Sequence, residues 1–524
     1  MKKNYSRLDA FFPLCRSIVD KDSFDKLISR SADHVLAESI PDLLEEKKSE
    51  FKLPDYINDL ARFELACFKI ASGEGEIPEY TANYKLNPSL TLLKMSWHII
   101  PWIEGEKKSV EKGTVWAIVW RDRKSGEVLY QEAGKDVLMA LKIAAEGLNI
   151  EQCEAEFNIK TGKIHSILSF AASKGIITGP MPLLTRGFSP YAEGLNALSS
   201  RDYHSAYTFT LTWHVSGTTS RENGIKRRKT DELAAAEKIL DDLLSFCRNG
   251  NFRAHISFTS TSATPFSNHS FLDIYRMASE RGFLLSIIAG PTSQKNLEEI
   301  VKIQKPDYYQ IALKGLETPN DKGAFAKKMD FLAVLKELDI PSSVVICVTK
   351  ENISEIIPLA SRIREKVGSF TFSRMPQTWD PLADSGLPGK DEFQIFLSNY
   401  VSMSLENPVM GYKDNLINLE LTRRGLRPFE GCCGTGCGAA LCRMALYPDG
   451  EVHACPMFPS SIGNVFKKDF REIYGSEISD KYRRGPQECS SCKLRSHCGG
   501  CMSFTARMGL DRFKNADPYC FIDK

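Results

Sequence analysis

The spacing of apolar residues changes three times along the chain, and each change predicts a different architecture. Over residues 1–82 the stretches DSFDKLISRSADHVLAESIPDLLEEKKSEF and YINDLARFELACFKIA place apolar positions three to four apart with charges between. That is the period of helices burying one face, and it predicts a small helical N-terminal region. From about residue 88 the period shortens: TLLKMSWHIIPWI and TVWAIVWRDRKSGEVLYQEA read as strands, the second turning back at KSGE. Helical spacing returns in DVLMALKIAAEG, IEQCEAEFN and GKIHSILSFAASKGIIT. Strands followed by three short helices predict a winged-helix-like module over 83–178. Residues 179–203 are rich in Pro, Gly and Ser and predict a linker.

A regular alternation then begins. The strand candidates AYTFTLTWHV, RAHISFTS, FLLSIIAG, DYYQIALKG, PSSVVICVTK and SFTFSRMPQ alternate with helix candidates, from TDELAAAEKILDDLLSF to DEFQIFLSNYVSMSLEN. Parallel strands are usually joined by such crossover helices, so the expected fold is α/β with a parallel sheet. Six units are too few to close an eightfold barrel; a partial (β/α)6 TIM-type barrel over 204–425 is expected, with any site at the C-terminal ends of its strands.

Length and charge narrow the function classes. A chain of 524 residues exceeds what one core usually organises. Formal net charge is only +2, and the third helix of the winged-helix-like module has only Lys160, Lys163 and Lys174 as basic groups on it and its approach. Nucleic acid is therefore not expected as a partner. No apolar run reaches the roughly 18 to 20 residues of a membrane helix, and the N-terminus lacks a signal-peptide pattern, so a cytoplasmic protein without membrane contact is expected.

Cysteine distribution changes the picture most. Of 15 cysteines, five are scattered (Cys15, Cys67, Cys153, Cys247, Cys347), while the rest lie between Cys432 and Cys520, within residues 426–524. Cys489, Cys492, Cys498 and Cys501 form C-x2-C-x5-C-x2-C, and Cys437, Gly450 and Cys455 form C-x12-G-x4-C. Closely spaced thiolates in Gly-containing turns can converge on one soft metal centre, iron-sulfur or zinc.

This tail resembles a SPASM domain, the C-terminal extension of many radical S-adenosylmethionine enzymes that modify ribosomally made peptides; a partial six-unit barrel is the core of that superfamily. YPDGEVHAC and IGNV are similar to the same family. PLCRS, QIALKGLE and NPVMGYKDN are most similar to its selenobiotic, thio(seleno)oxazole-type peptide maturases. The resemblance implies two auxiliary 4Fe-4S clusters. It would give the first to Cys432, Cys437, Cys455 and Cys501, with Cys433 or Cys442 as alternatives to Cys432, and the second to Cys489, Cys492, Cys498 and Cys520. The array departs from the family in having two residues, not three, before Cys501.

The same resemblance exposes a loss. Active members carry C-x3-C-x2-C after the first barrel strand to hold the cluster that binds S-adenosylmethionine. Here Thr219, Asn223 and Lys226 stand at that spacing, and the loop has no cysteine in any register. A hydroxyl, an amide and an ammonium are poor iron-sulfur ligands. After the second strand the family has a glycine-rich turn; HISFTSTSATPF has none, and Thr259, Ser260, Thr261 and Ser262 would crowd a place needing bare backbone. S-adenosylmethionine binding and cleavage are therefore not expected, and no catalytic residue is assigned. His214 reads as a packed strand residue, and the basic run Lys226–Lys229 as a solvated loop or a grip for an acidic peptide.

The function expected from these features is that of a catalytically degenerate member of ribosomal peptide maturation, which binds a precursor peptide, an active radical-SAM homologue, or both. The competing readings are an active peptide-modifying iron-sulfur enzyme and a cluster-containing, redox-sensing winged-helix regulator.

Overall fold

The structure is a computed structural model that describes residues 12–19, 37–123, 125–156, 158–160, 162–185, 205–216, 229–260, 264–315, 323–374, 386–426, 428–429, 436–495 and 497–522. The chain divides into two compact units, one of residues 1–157 with 167–181 and one of residues 158–166 with 182–524.

In the first unit, β1 (Lys85–Leu86) will pair with a later strand, while β2 (Thr91–His98), β3 (Glu111–Arg121) and β4 (Val128–Glu132) form an antiparallel sheet in that order. The turn expected at KSGE is there: Asp122 accepts hydrogen bonds from the Ser125 backbone N–H and hydroxyl, and Gly126 takes a φ of +74°. β5 (Ile177–Thr178) pairs antiparallel with β1. Helices occupy Lys135–Glu146, Ile150–Glu156 and, from residue 167 on in this unit, Lys163–Ser173, as the returning three-to-four period predicts.

The long helix Ile57–Ser72 buries Ile57, Leu60, Ala61 and Phe63 against Met95 of β2 and Val115, Ala117 and Val119 of β3. Its buried Glu64 accepts the backbone N–H groups of Leu14 (2.6 Å) and Cys15 (2.9 Å), fixing the PLCRS segment. Burial and then the Glu64 carboxylate push the Cys15 thiol well up, so it is a packed, protonated thiol.

The second unit begins with a two-stranded antiparallel pair, β6 (Leu184–Thr185) and β7 (Ser205–Ala206). Six strands follow: β8 (Thr208–His214), β9 (Arg253–Thr259), β10 (Leu284–Ile288), β11 (Tyr309–Leu313), β12 (Ser342–Cys347) and β13 (Ser369–Ser373). They lie in consecutive spatial order, every neighbouring pair parallel. Helices Lys229–Asn249, Phe271–Glu280, Gln294–Ile303, Ala324–Glu337 and Ile356–Ile363 supply the crossovers, and Lys390–Ser404 follows β13. Three tail strands extend the same sheet, β14 (Arg443–Leu446) parallel to β8, then β15 (Glu451–His453) and β16 (Ser461–Asn464) antiparallel.

Alternation within the strands explains the two faces. Phe209, Leu211 and Trp213 join the core with helix residues such as Leu240 and Phe246. The intervening side chains are polar and bond to one another: Thr210 Oγ1 lies 3.2 Å from His255 Nδ1, and His255 Nε2 lies 2.8 Å from Ser286 Oγ. Burial, then the Arg253 and Arg443 cations, push His255 down to about 3, so it is neutral at pH 7. A closed eight-stranded barrel normally fills this side with branched apolar residues. Among the described residues, no helix is long and apolar enough to cross a membrane.

Candidate metal centre

Tight turns bring four thiols to one cavity. Residues Gln487–Cys489 form a 3-10 turn, after which the N–H of Cys492 reaches the Cys489 carbonyl (3.2 Å) and that of Cys498 reaches Leu494 (2.9 Å). Gly499 and Gly500 then take left-handed backbones at φ +76° and +64°. A Cβ at Gly500 would stand 2.6 Å from the Cβ of Asp517, so a glycine is needed for this approach. Cys489, Cys492, Cys498 and Cys520 thereby line one cavity, with Leu416, Leu419 and Leu494 as apolar wall and Asp517 and Arg495 among its polar groups. These are the four residues that the resemblance assigns to the second cluster.

The environment holds Cys489, Cys498 and Cys520 protonated. Burial pushes Cys489 up to about 11, the neighbouring Cys492 and Cys520 add to this, and Arg495 opposes it. Burial also raises Cys520 and Cys498; the Gly500 N–H, 3.4 Å from Cys498 Sγ, works in the opposite direction. Thiols such as Cys489, Cys498 and Cys520 that resist ionisation alone would be stabilised as anions by a cationic iron-sulfur core, and loading would release their protons. Among the described residues no three His, Cys, Asp or Glu side chains are placed to hold a single metal ion. A four-iron cluster needs its sulfurs spread around a body instead of converging on a point, and thiols around a cavity fit it.

The other thiols arrive from separate elements. The Cys437 N–H donates to the Cys498 carbonyl (3.1 Å), which ties this segment to the first array; a Cβ at the preceding Gly436 would stand 2.7 Å from the same carbonyl oxygen. Ala440 N–H donates to Ala454 O (3.0 Å), bringing the Cys437 segment beside the strand end that leads to Cys455. Cys501 starts the helix Met502–Arg507, and its thiol is held well above its ordinary value by burial, with Cys437 among the groups that add to this and the Arg374 cation opposing. Cys437 is thus within electrostatic reach of Cys501, and Cys455 within reach of Tyr447 and Tyr482. Cys432 and Cys433 lie outside the described residues, as do Thr219, Asn223, Lys226, Thr261 and Ser262. Cys442 is buried in the core, 2% exposed.

A group that sequence reasoning missed holds the two thiol sets to the sheet. Arg374 follows β13 and is 1% exposed at its side chain. Its Nε and Nη2 donate to Asp414 (2.6 and 3.1 Å), and its Nη1 and Nη2 to Asp517 (2.9 and 2.7 Å). The guanidinium also lies over the Phe504 ring at 4.3 Å. Burial alone would lower its pKa, but the two carboxylates hold it well above its ordinary value. Asn415 and Asn418 continue the clamp, donating to Gly500 O (3.0 Å) and His497 O (2.5 Å). Their signal was present in the KDN of NPVMGYKDN and the D of DPYC, read as family likeness without a physical role.

The ends of the parallel strands bear on two other expectations. Thr259 Oγ1 bonds to Ile288 O (2.8 Å), and Ser260 Oγ lies 2.7 Å from Ser216 Oγ, so both side chains tie strand ends together. His214 is packed: its ring stacks on Tyr447 at 4.2 Å, and its nitrogens have no hydrogen-bond partner among the described residues. Of the basic run, Lys229 pairs with Asp273 at 2.8 Å; Lys226, Arg227 and Arg228 lie outside the described residues.

Residues 437–501 match the SPASM family, described as an iron-sulfur cluster-binding domain. The chain is 26% identical over 190 residues, 34% of its own length, to the antilisterial bacteriocin subtilosin biosynthesis protein AlbA of Bacillus subtilis (strain 168). It is 23% identical over 220 residues, 38% of its length, to the AdoMet-dependent heme synthase of Methanosarcina barkeri (strain Fusaro / DSM 804). It spans 40% and 61% of those two proteins. Among solved structures, SuiB of Streptococcus suis bound to S-adenosylmethionine aligns with 78% of this chain and 96% of its own at 14% identity and a TM-score of 0.43. The likeness to radical S-adenosylmethionine/SPASM peptide maturases, first read in the cysteine spacing, is borne out by the domain match and the curated relatives.

Proposed function

We propose that this chain is a catalytically degenerate radical-SAM/SPASM-like protein of ribosomal peptide maturation. It carries two auxiliary 4Fe-4S clusters and binds a precursor peptide, an active partner enzyme, or both, in the reducing cytoplasm. The observation that carries the reading is the cavity lined by Cys489, Cys492, Cys498 and Cys520 within a tail that matches an iron-sulfur domain. Such clusters supply one-electron storage and transfer. The residues of the chain hold them: Cys489, Cys492, Cys498 and Cys520 at the second, and Cys437, Cys455 and Cys501, with Cys432 completing the set, at the first.

The degenerate half of the reading rests on the sequence between β8 and the helix Lys229–Asn249, where Thr219, Asn223 and Lys226 replace thiolates. The six parallel strands would form the partial barrel, and the module with β2, β3 and β4 would take the peptide. In support, β2 and β4 are the outer strands of their sheet, and Leu92, Trp116 and Leu129 stand partly exposed on one of its faces. An extended peptide can add to such an edge. The subtilosin biosynthesis protein among the relatives favours a peptide substrate class.

Anaerobic reconstitution should yield about eight irons per chain, with no 5'-deoxyadenosine formed from S-adenosylmethionine under reduction. About twelve irons, or turnover of S-adenosylmethionine, would overturn the degenerate reading in favour of an active enzyme.

A further inference from the structure

Asp517 touches both thiol sets. Its Oδ2 accepts the Cys501 N–H at 2.9 Å, while the residue is also among those that line the cavity of Cys489, Cys492, Cys498 and Cys520. Its own backbone carbonyl receives the Cys520 N–H at 2.9 Å, and its Oδ1 receives that of Tyr519 at 3.0 Å. Arg374 grips both of its oxygens and is shared with Asp414. The three side chains, Arg374, Asp414 and Asp517, are 1%, 5% and 1% exposed.

One cation facing two carboxylates leaves a net charge of −1, and at this burial water and salt screen it little. A fixed negative charge beside a cluster disfavours the added electron, in the way that outer-shell groups tune metal sites. Two other cations act on the second thiol set, Arg495 on Cys489 and Lys390 on Cys520. Lys390 is exposed and therefore screened.

We propose that Asp517 is the positioning residue common to the two cluster sites: its buried carboxylate orients the Cys501 backbone, and its charge lowers the reduction potential of both clusters together. This rests on reading both thiol sets as cluster sites. Asp517→Asn is nearly isosteric and leaves Arg374 paired with Asp414, a neutral buried pair in place of the charged triad. Asp414→Asn also neutralises the triad, but from a carboxylate that makes no bond to a ligand cysteine.

The test is a redox titration of the reconstituted full chain, followed by absorbance and electron paramagnetic resonance, alongside an iron count. In D517N both clusters should keep their iron. At a fixed ambient potential the reduced-to-oxidised ratio of each should rise about tenfold, about 59 mV for a one-electron couple. D414N should shift them in the same direction by less. Glu488→Gln removes an exposed charge next to Cys489 while its amide oxygen can still accept the Ala516 N–H that the carboxylate takes at 3.0 Å, and it should leave both within about twofold, because water screens the charge.

Unmoved potentials in D517N with iron retained would overturn the inference, as would a shift in E488Q equal to that in D517N. If D517N loses iron, D414N decides: a raised potential supports charge tuning, and no shift overturns it. Iron lost from both variants would show a purely structural clamp and also overturn it. Absence of iron from the unsubstituted chain would instead sink the cluster reading itself.

Discussion

The two thiol sets are built differently. Cys489, Cys492 and Cys498 lie within ten residues of sequence, and successive turns are enough to point them at one cavity. Cys437, Cys455 and Cys501 come from a loop, a strand end and a helix start, and they depend on the β14–β15–β16 sheet and on the Arg374 triad for their approach. Local chain geometry places three thiols of one site, with Cys520 added from farther along the chain; long-range packing makes the whole of the other. Substitutions should separate them accordingly.

The largest effect is expected at the local site. Cys498→Ala removes a thiol whose place is fixed by its own turn, and on the proposed two-cluster reading reconstituted iron should drop from about eight to about four per chain. Iron held at about eight would show that the cavity is not a cluster site. Next comes Arg374→Gln, which leaves Asp414 and Asp517 facing each other without their cation. Removing one partner of a buried ion pair costs about 3–5 kcal/mol. Chemical denaturation of the metal-free chain should register that loss, and reconstitution should fail first at the set containing Cys501. A cost under about 1 kcal/mol would show that the triad does not clamp the tail.

A smaller effect isolates the approach of chain to chain. Gly499 and Gly500 both have left-handed backbones, but only a Cβ at Gly500 meets another residue, Asp517 at 2.6 Å. Gly499→Ala should cost about 1 kcal/mol from backbone strain alone, and Gly500→Ala about 2–3 kcal/mol, with displacement of Asp517. Equal costs for the two would remove the close approach from the account.

This difference also explains what could be read in the sequence. The strand–helix alternation was legible because the strands from β8 to β13 are short apolar-rich runs, with a clean apolar/polar alternation in β8, β9 and β13, and each crossover shows a helical period. The Cys489–Cys501 array was legible because its spacing is a property of local turns. Arg374 was not: at the end of SFTFSR it has the composition of a solvated strand terminus, and its two carboxylates lie 40 and 143 residues away. Only the fold brings opposite charges from such distances into one dry place. The polar row Thr210, His255 and Ser286 was hidden for the same reason, since its three residues come from three different strands.

The weakest effect tests the border of the first thiol set. His214 stacks on Tyr447, whose hydroxyl burial pushes up to about 12, with Cys455 as its next largest influence. Burial, then nearby His453, lowers His214 from 6.5 to about 3, so the folded chain resists the proton that the unfolded chain accepts. Its contribution to stability is therefore present above pH 6.5 and is lost as the pH falls toward 3. His214→Phe keeps a ring on Tyr447 but takes up no proton. Stability at pH 7 should change by no more than about 1 kcal/mol, and between about pH 6 and 3 its slope against pH should flatten by up to about 1.4 kcal/mol per pH unit. The buried His255, also lowered to about 3, keeps the remaining acid sensitivity. Denaturation curves at three pH values decide the matter: an unchanged slope in H214F would mean that His214 is reached by water, and that the border of the Cys455 side is open where the cavity of Cys489 and Cys498 is closed by leucines.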